Sequence, residues 1–453
     1  MKTDNSIPQN LKGKFWLVAA DMGYGHQRAI YPLKYLGIDA EILNANVSPQ
    51  STKSERRIWK ELLLVYEFMS RAGRIPIIGN LIARLLDKML YIPNYYPIKD
   101  MSDTTMQVRY VKMSIEKGLC KGILERIKSP SLPIITSFYV SALAADMAGK
   151  ELVYCIICDS DLSRVWVAED PSKSRIIYFA SGTVSAQRLI SYGVLSQYIQ
   201  VTGFPLPLEL LGDRSLNTLR SNLDHRLKNL DPHGVFSFLY KHSINAFLRP
   251  DKQDSYVSPY ELKRRYFTIT FAIGGAGAQK EIGKQIVHSL VNEITDGFVK
   301  INLVAGTRVE VRDYFLKVKA EIKGNNENVK IIWEKDNEAY LNSFNQCLHT
   351  TDILWTKPSE LSFYCALGIP IIMTPAIGPQ EKCNQRWLRE IGAGFKQRNP
   401  EDTNEWLFDL LNKGRLAEAA WNGFLKGRKY GTYNILDYLE TGAFSISNDP
   451  LIR

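Results

Sequence analysis

The sequence predicts an α/β protein built from two Rossmann-like halves, and three observations predict it. Each half opens with an apolar strand that runs into a glycine turn and then a helix. The first opening is residues 14–20 (KFWLVAA) before Asp21-Met-Gly-Tyr-Gly-His26; the second is residues 266–273 (YFTITFAI) before Gly274-Gly-Ala-Gly-Ala-Gln279. After each opening, short Ile/Val/Leu-rich runs alternate with helical spacing, as in parallel strands joined by crossover helices. Length is the third: 453 residues exceed one ordinary core, so two domains of about 200 residues are the default.

Composition narrows the function classes. Hydrophobic content of 45% is ample for folded cores. The net charge of +10 calls for an anionic partner: a phosphorylated substrate, a membrane surface or nucleic acid. No nucleic-acid motif accompanies the charge, so nucleic acid is set aside. The six cysteines show no framework spacing, which suits a reducing compartment. Cys155-Ile-Ile-Cys158 has CxxC spacing but lies inside an apolar strand run, whereas a redox pair of this type opens a helix. No signal-peptide core and no apolar run near ~18 residues is present, so a cytoplasmic protein is expected.

Along the chain, Gly23 and Gly25 allow close backbone approach to a ligand, and His26 lands where a helix over 27–36 begins. His26 reads either as a catalytic group or as a helix-start residue with no chemical duty. Residues 54–97 interleave Trp59, Leu63, Tyr66, Phe68, Ile75 and Ile78 with Arg56, Arg57, Lys60, Arg71, Arg74, Arg84 and Lys88. Such a stretch suits a bilayer interface; equally, it suits two ordinary helices on a sheet with solvated arginines. A strand over 131–137 ends at Ser137. Another, over 152–158, ends at Asp159, with Trp166 seven residues on. An aspartate there serves a site or caps the next turn. Residues 175–180 and 199–202 close the first half, and 206–265 is a connector of helical character with little strand signal.

In the second half the loop Gly274, Gly275, Ala276, Gly277 between strand and helix makes a seat of backbone N–H groups for a diphosphate. Strands are expected over 301–305, 329–333, 353–355 and 369–374. Arg308, just past one strand end, could meet a phosphate or simply be exposed. The run Lys357-Pro358-Ser359-Glu360 turns into a short helix that stops at Gly368, and Gln380, Glu381 and Asn384 follow in a loop before another helix. Such neutral and acidic groups are what sugar hydroxyls require, and loops at the carboxyl ends of parallel strands are where ligands bind. Residues 401–453 read as helices.

These segments resemble a group of GT-B glycosyltransferases. It holds monogalactosyldiacylglycerol synthase, the diacylglycerol glucosyltransferases and the N-acetylglucosaminyltransferase of peptidoglycan lipid intermediates. The group carries G-x-G-H-x-x-A in its first turn, matched by Gly23, Gly25, His26 and Ala29. It also carries a strand-T-D segment, matched at Asp159 with Cys158 in place of threonine. Its donor segment is matched by Lys357, Pro358, Leu361, Ala366, Gly368, Pro370, Gln380, Glu381 and Asn384. Ser359-Glu360 replaces a glycine pair, and 357–368 is two residues short, so Glu360 stands in for the family's ribose-binding glutamate only if the loop is rebuilt.

The resemblance implies two Rossmann-like domains facing each other across a cleft. They would be an acceptor domain over 1–205 and a nucleotide-sugar domain over 266–430, with a helical connector or insertion over 206–265 and a tail over 431–453 returning to the first domain. It implies an inverting hexosyltransferase with a nucleotide-sugar donor of the UDP-hexose type and a lipid-like hydroxyl acceptor. The enzyme would sit at the cytoplasmic membrane face, bound to anionic lipid through 54–97. His26 or Asp159 would be the base, with Gly23, Gly25, Ser137 and Trp166 on the acceptor side. Gly274, Gly275, Ala276, Gly277, Arg308, Lys357, Pro358, Glu360, Gln380, Glu381 and Asn384 would hold the donor. The glycine loop would stabilise the departing diphosphate, so neither metal nor cofactor is expected. Two alternatives remain open: a nucleotide-sugar 2-epimerase of the same fold, and a binding protein that has lost turnover.

Overall fold

The computed structural model describes residues 8–59, 92–128, 130–248, 266–274, 277 and 279–445. The chain forms two compact units, one of Met1–Leu206, Ala376–Asn384 and Tyr430–Ile446, the other of Pro207–Pro375, Gln385–Lys429 and Ser447–Arg453.

The first unit holds a six-stranded parallel sheet in the order β2-β1-β3-β4-β5-β6. Its strands are β1 (Phe15–Ala19), β2 (Gly37–Asn44), β3 (Ile134–Thr136), β4 (Val153–Ile156), β5 (Ile177–Phe179) and β6 (Ile199–Gln200). Strands β1, β3 and β4 are buried along their whole length, which is why they read as unbroken apolar runs. Edge strand β2 was not assigned from sequence: its middle, Asp39-Ala40-Glu41, is exposed, and Asp39 and Ala40 take positive φ. Strand order reverses between β1 and β3, so the loops after those strands flank the crevice where open α/β sheets bind ligands.

The helix after β1 begins at Tyr24, not Gln27, and gives way to a 3-10 turn over Tyr31–Leu36. Gly23 is its N-cap with φ 114°, a conformation that any side chain would strain. Trp59, expected to face a membrane, is instead core: it is buried with its ring 5.8 Å from Phe138. The rest of the proposed membrane stretch, 60–91, lies outside the described residues. Cys155 and Cys158 are both buried and reduced, and burial pushes the Cys155 thiol well up, so no reactive pair forms there.

The second unit holds β7 (Phe267–Ala272), β8 (Val299–Gly306), β9 (Val329–Trp333), β10 (Ile353–Thr356), β11 (Ile371–Met373) and β12 (Gly394–Lys396). Their order, β12-β11-β10-β7-β8-β9, is all parallel and is the doubly wound Rossmann arrangement, reversing between β7 and β10. The helix after the glycine loop, Lys280–Ser289, lies close on the sheet because Gly283 faces the Phe271 ring, where a Cβ would come within 2.9 Å.

The stretch 206–265 contributes helices to this second unit, including Asn217–Leu230 and Lys241–Leu248; 249–265 lies outside the described residues. Arg226, buried on the first of these, donates from Nε to Thr351 O at 2.7 Å. Its Nη1 donates to Leu367 O at 3.0 Å and Gly368 O at 3.2 Å. Gly368 caps the 3-10 helix Glu360–Leu367 with φ 68°, and a Cβ there would strike Leu223 at 2.5 Å. The connector is therefore a structural buttress of the segment that ends at Gly368. Its Phe236 is buried and stacked on Tyr240, while Phe238 is exposed.

Candidate active site

In the first unit the loops after β1, β3, β4 and β5 converge. His26, in the first helical turn after β1, places Nδ1 2.6 Å from the Ser137 carbonyl after β3. A carbonyl oxygen only accepts, so Nδ1 carries the proton and the neutral ring has its lone pair on Nε2. Ser137 Oγ returns a bond to His26 O at 2.7 Å. Cys158, at the end of the β4 run, brings Sγ to 3.6 Å from the same Nδ1, so His26 stands beside the residue that precedes Asp159. The ring is packed edge-on against Phe138 at 4.8 Å, with Trp166 at 6.4 Å. This is an apolar wall: burial pushes the neighbouring Tyr139 hydroxyl up to about 12.

Asp159 is held from two sides. Ser181 Oγ, after β5, donates to its backbone carbonyl at 2.6 Å, and Asn384 Nδ2 donates to its Oδ1 at 2.8 Å. Asn384 Oδ1 in turn accepts from Ser160 N at 2.8 Å. Asp161 plays a different part. Arg188 Nε and Nη2 each lie 2.8 Å from its two oxygens, and Leu162 N donates to it at 2.9 Å. Burial opposes charge on Arg188, but the bond to Asp161 prevails and its pKa is raised. Asp161 is thus held in a buried ion pair with Arg188.

Gln380, Glu381 and Asn384 belong to the helix Pro379–Glu390 rather than to the loop expected ahead of it, with Pro379 at its first position. Glu381 Oε2 accepts from Ile377 N at 2.8 Å and shapes that helix start. By compactness, 376–384 groups with the first unit.

In the second unit the loops after β7, β8, β10 and β11 gather at the reversal of strand order. Lys357, after β10, lies against Gly274, where a Cβ would come within 2.7 Å of Lys357 Cε. Arg308, after β8, lies against Gly277 in the same way, with Cδ at 3.2 Å from the Cβ position, and pairs with Glu310 at 3.4 Å. Gln279 closes the loop in a left-handed conformation, φ 71°, costly for a residue with a side chain. Thr374 Oγ1, after β11, donates to Gln279 Oε1 at 2.8 Å and holds it there. Pro358 and Glu360 are buried in the adjoining turn. Gly275 and Ala276 lie outside the described residues.

Sequence reasoning missed Ser181, Gln279 and Thr374. Each ends or follows an apolar strand, a position that signals a carboxyl-end loop, but their bonding partners lie 22 to 95 residues away.

Residues 309–435 match a family model described as a domain of unknown function (DUF6938). The processive diacylglycerol beta-glucosyltransferase of Bacillus subtilis (strain 168) is 20% identical over 258 residues, 56% of this chain and 53% of the relative. That of Bacillus pumilus (strain SAFR-032) is 21% identical over 338 residues, 74% of this chain and 73% of the relative. The chain thus spans about half the length of the first relative it matches. Among solved structures, S. aureus MnaA with UDP has a TM-score of 0.46 at 11% identity, covering 98% of this chain and 100% of that one. Neisseria meningitidis UDP-GlcNAc 2-epimerase bound to UDP-GlcNAc scores 0.46 at 13%, covering 94% and 98%. Acinetobacter baumannii MurG scores 0.44 at 12%, covering 94% and 99%. At 20–21% identity the chain is similar in sequence to diacylglycerol beta-glucosyltransferases, and it holds two Rossmann-like units.

Proposed function

We propose that the chain is an inverting glycosyltransferase that moves a hexose from a UDP-type nucleotide sugar to a hydroxyl of a lipid-like acceptor at a membrane surface. One observation carries the reading: His26 Nδ1 is committed to the Ser137 carbonyl, which leaves Nε2 as the basic nitrogen, beside the strand end that bears Asp159. In this reading the acceptor hydroxyl gives its proton to Nε2 or to the Asp159 carboxylate. Its oxygen attacks the anomeric carbon from the face opposite the diphosphate. The bond from that carbon to the diphosphate oxygen breaks, and the leaving group departs with the electron pair. The glycine loop after β7, with Arg308 and Lys357 lying against it, would receive that charge. This requires no metal. Glu360, Gln380 and Glu381 would hold donor hydroxyls.

The membrane part rests on the net charge and on one exposed helix face. Among the described residues, Met106, Tyr110 and Met113 form an exposed stripe on the helix Met106–Glu116, with Arg109 and Lys117 exposed beside it. Among those same residues no helix is long and apolar enough to cross a membrane.

The test is incubation with labelled nucleotide sugars and lipid extract. Label should enter the lipid phase, and His26→Ala and Asp159→Asn should each lower turnover by about 100-fold with donor affinity kept. Product from donor alone would favour the epimerase reading. Donor binding with no product under any condition would favour a binding protein.

A further inference from the structure

We propose that Asn384 is a positioning residue for the Asp159 carboxylate and not a ligand of the donor sugar. This deepens the proposed function and rests on it for the role of Asp159.

Family resemblance places Asn384 with Gln380 and Glu381 as hydroxyl partners of a sugar. The geometry assigns its amide differently. Asn384 is fully buried, and its two polar ends are committed to consecutive residues of one loop: Nδ2 to Asp159 Oδ1 and Oδ1 to Ser160 N, both at 2.8 Å. An amide used at both ends in this way fixes the rotation of the carboxylate as well as its place. The donor end also favours the ionised form of Asp159, because an N–H bond to a carboxylate stabilises its charge. The charged and titratable groups about that loop include His26 and Cys158 on one side and, on the other, the Asp161–Arg188 pair with Tyr95, Tyr192 and Cys383 near it. Asp161 is held by Arg188, and Asn384 is a neutral group that orients Asp159.

A second consequence follows from helix periodicity. Gln380 precedes Asn384 by four residues on Pro379–Glu390 and therefore shares its face. Fixing Asn384 to Asp159 also fixes where Gln380 stands relative to the candidate base. The interaction would set the distance between a sugar hydroxyl held by Gln380 and the group that takes the acceptor proton.

The experiment compares wild type with Asn384→Ala by steady-state kinetics, UDP-sugar binding and ¹³C NMR of selectively labelled aspartate, with Asp159→Asn identifying the Asp159 signal. The expected result is a fall in kcat of about 10-fold or more, unchanged affinity for the UDP-sugar, and an acidic limb of the pH–rate profile moved up by about one pH unit. The Asp159 signal should move its midpoint by the same amount. A 10-fold loss of UDP-sugar affinity with an unmoved midpoint would overturn the proposal and return Asn384 to the sugar. If wild type transfers nothing, the glycosyltransferase reading fails, yet the NMR midpoint still decides what Asn384 does. If Asn384→Ala does not fold, the Asn384 side-chain amide signal of wild type decides. It should shift as Asp159 titrates, and a flat response would overturn the proposal.

Discussion

Gly274→Ala offers a test of the diphosphate seat that works through a neighbour. Gly274 has no left-handed backbone, so alanine costs nothing in conformation, and it removes some freedom from the unfolded chain. The new Cβ would stand 2.7 Å from Lys357 Cε, 3.0 Å from Cδ and 3.3 Å from Nζ, against about 3.4 Å for an ordinary contact. The lysine stem must therefore retreat by roughly 0.7 Å or swing to another rotamer. Because it is the far end of a flexible side chain, stability should change by less than about 1 kcal/mol. The ammonium, however, would leave the place from which, in the proposed function, it would meet a phosphate. One charge-assisted bond to an anion is worth about 1.5–3 kcal/mol, so the UDP-sugar dissociation constant should rise by about 10- to 100-fold. Isothermal titration calorimetry on wild type, Gly274→Ala, Lys357→Ala and the double variant closes a cycle. The two single losses should be alike, and the double variant should be little worse than either. Full additivity would show that Gly274 acts without Lys357. Unchanged affinity in all three variants would remove the seat from this loop altogether.

Three further outcomes are expected. Asp161→Asn strips a buried arginine of its charged partner and should cost about 3 kcal/mol or more in urea denaturation, while turnover per folded molecule stays within a few-fold of wild type. Arg226→Ala leaves the carbonyls of Thr351, Leu367 and Gly368 without that donor and should cost about 3 kcal/mol; lysine should recover only part, lacking the planar fork. Asp352 is buried, and burial raises its carboxyl from 3.8 to about 6 despite Arg226 nearby. A raised folded value means the native state holds the proton longer. Its stabilising contribution is therefore full below about pH 4 and is lost as pH rises through 6. Relative to Asp352→Asn, wild type should lose about 2 kcal/mol between pH 4 and 7, read from urea midpoints across that range.

Much of the fold was legible because parallel strands buried on both faces announce themselves. Val329–Trp333 is found where its apolar run predicts it, and the strands that open each unit differ from expectation by a residue or two. What escaped was written in weaker signals. Strand β2 sits at an edge with Asp39 and Glu41 exposed, and β12 is only three residues long, too short for alternation to show. The helix carrying Gln380 and Asn384 begins at Pro379, a start signal that a proline-rich neighbourhood made look like loop. At the site, residue types at strand ends pointed to His26 and Asp159. The bond between Asn384 and Asp159 spans 225 positions, and no local pattern encodes it.

Discontinuity of the first unit has a consequence for how the protein is made. Its sheet is complete by residue 200, but Gly431 sits so close to Phe204 that a Cβ would lie 2.1 Å from the carbonyl oxygen. Thr432 and Asn434 bond the carbonyls of Leu206 and Thr202, and Tyr438 covers Tyr154 and Phe179. A ribosome delivers these pieces more than two hundred residues after the sheet they finish. Until then the nascent first unit carries an uncovered aromatic face over Tyr154 and Phe179, and Asp159 waits 225 residues for the Asn384 amide.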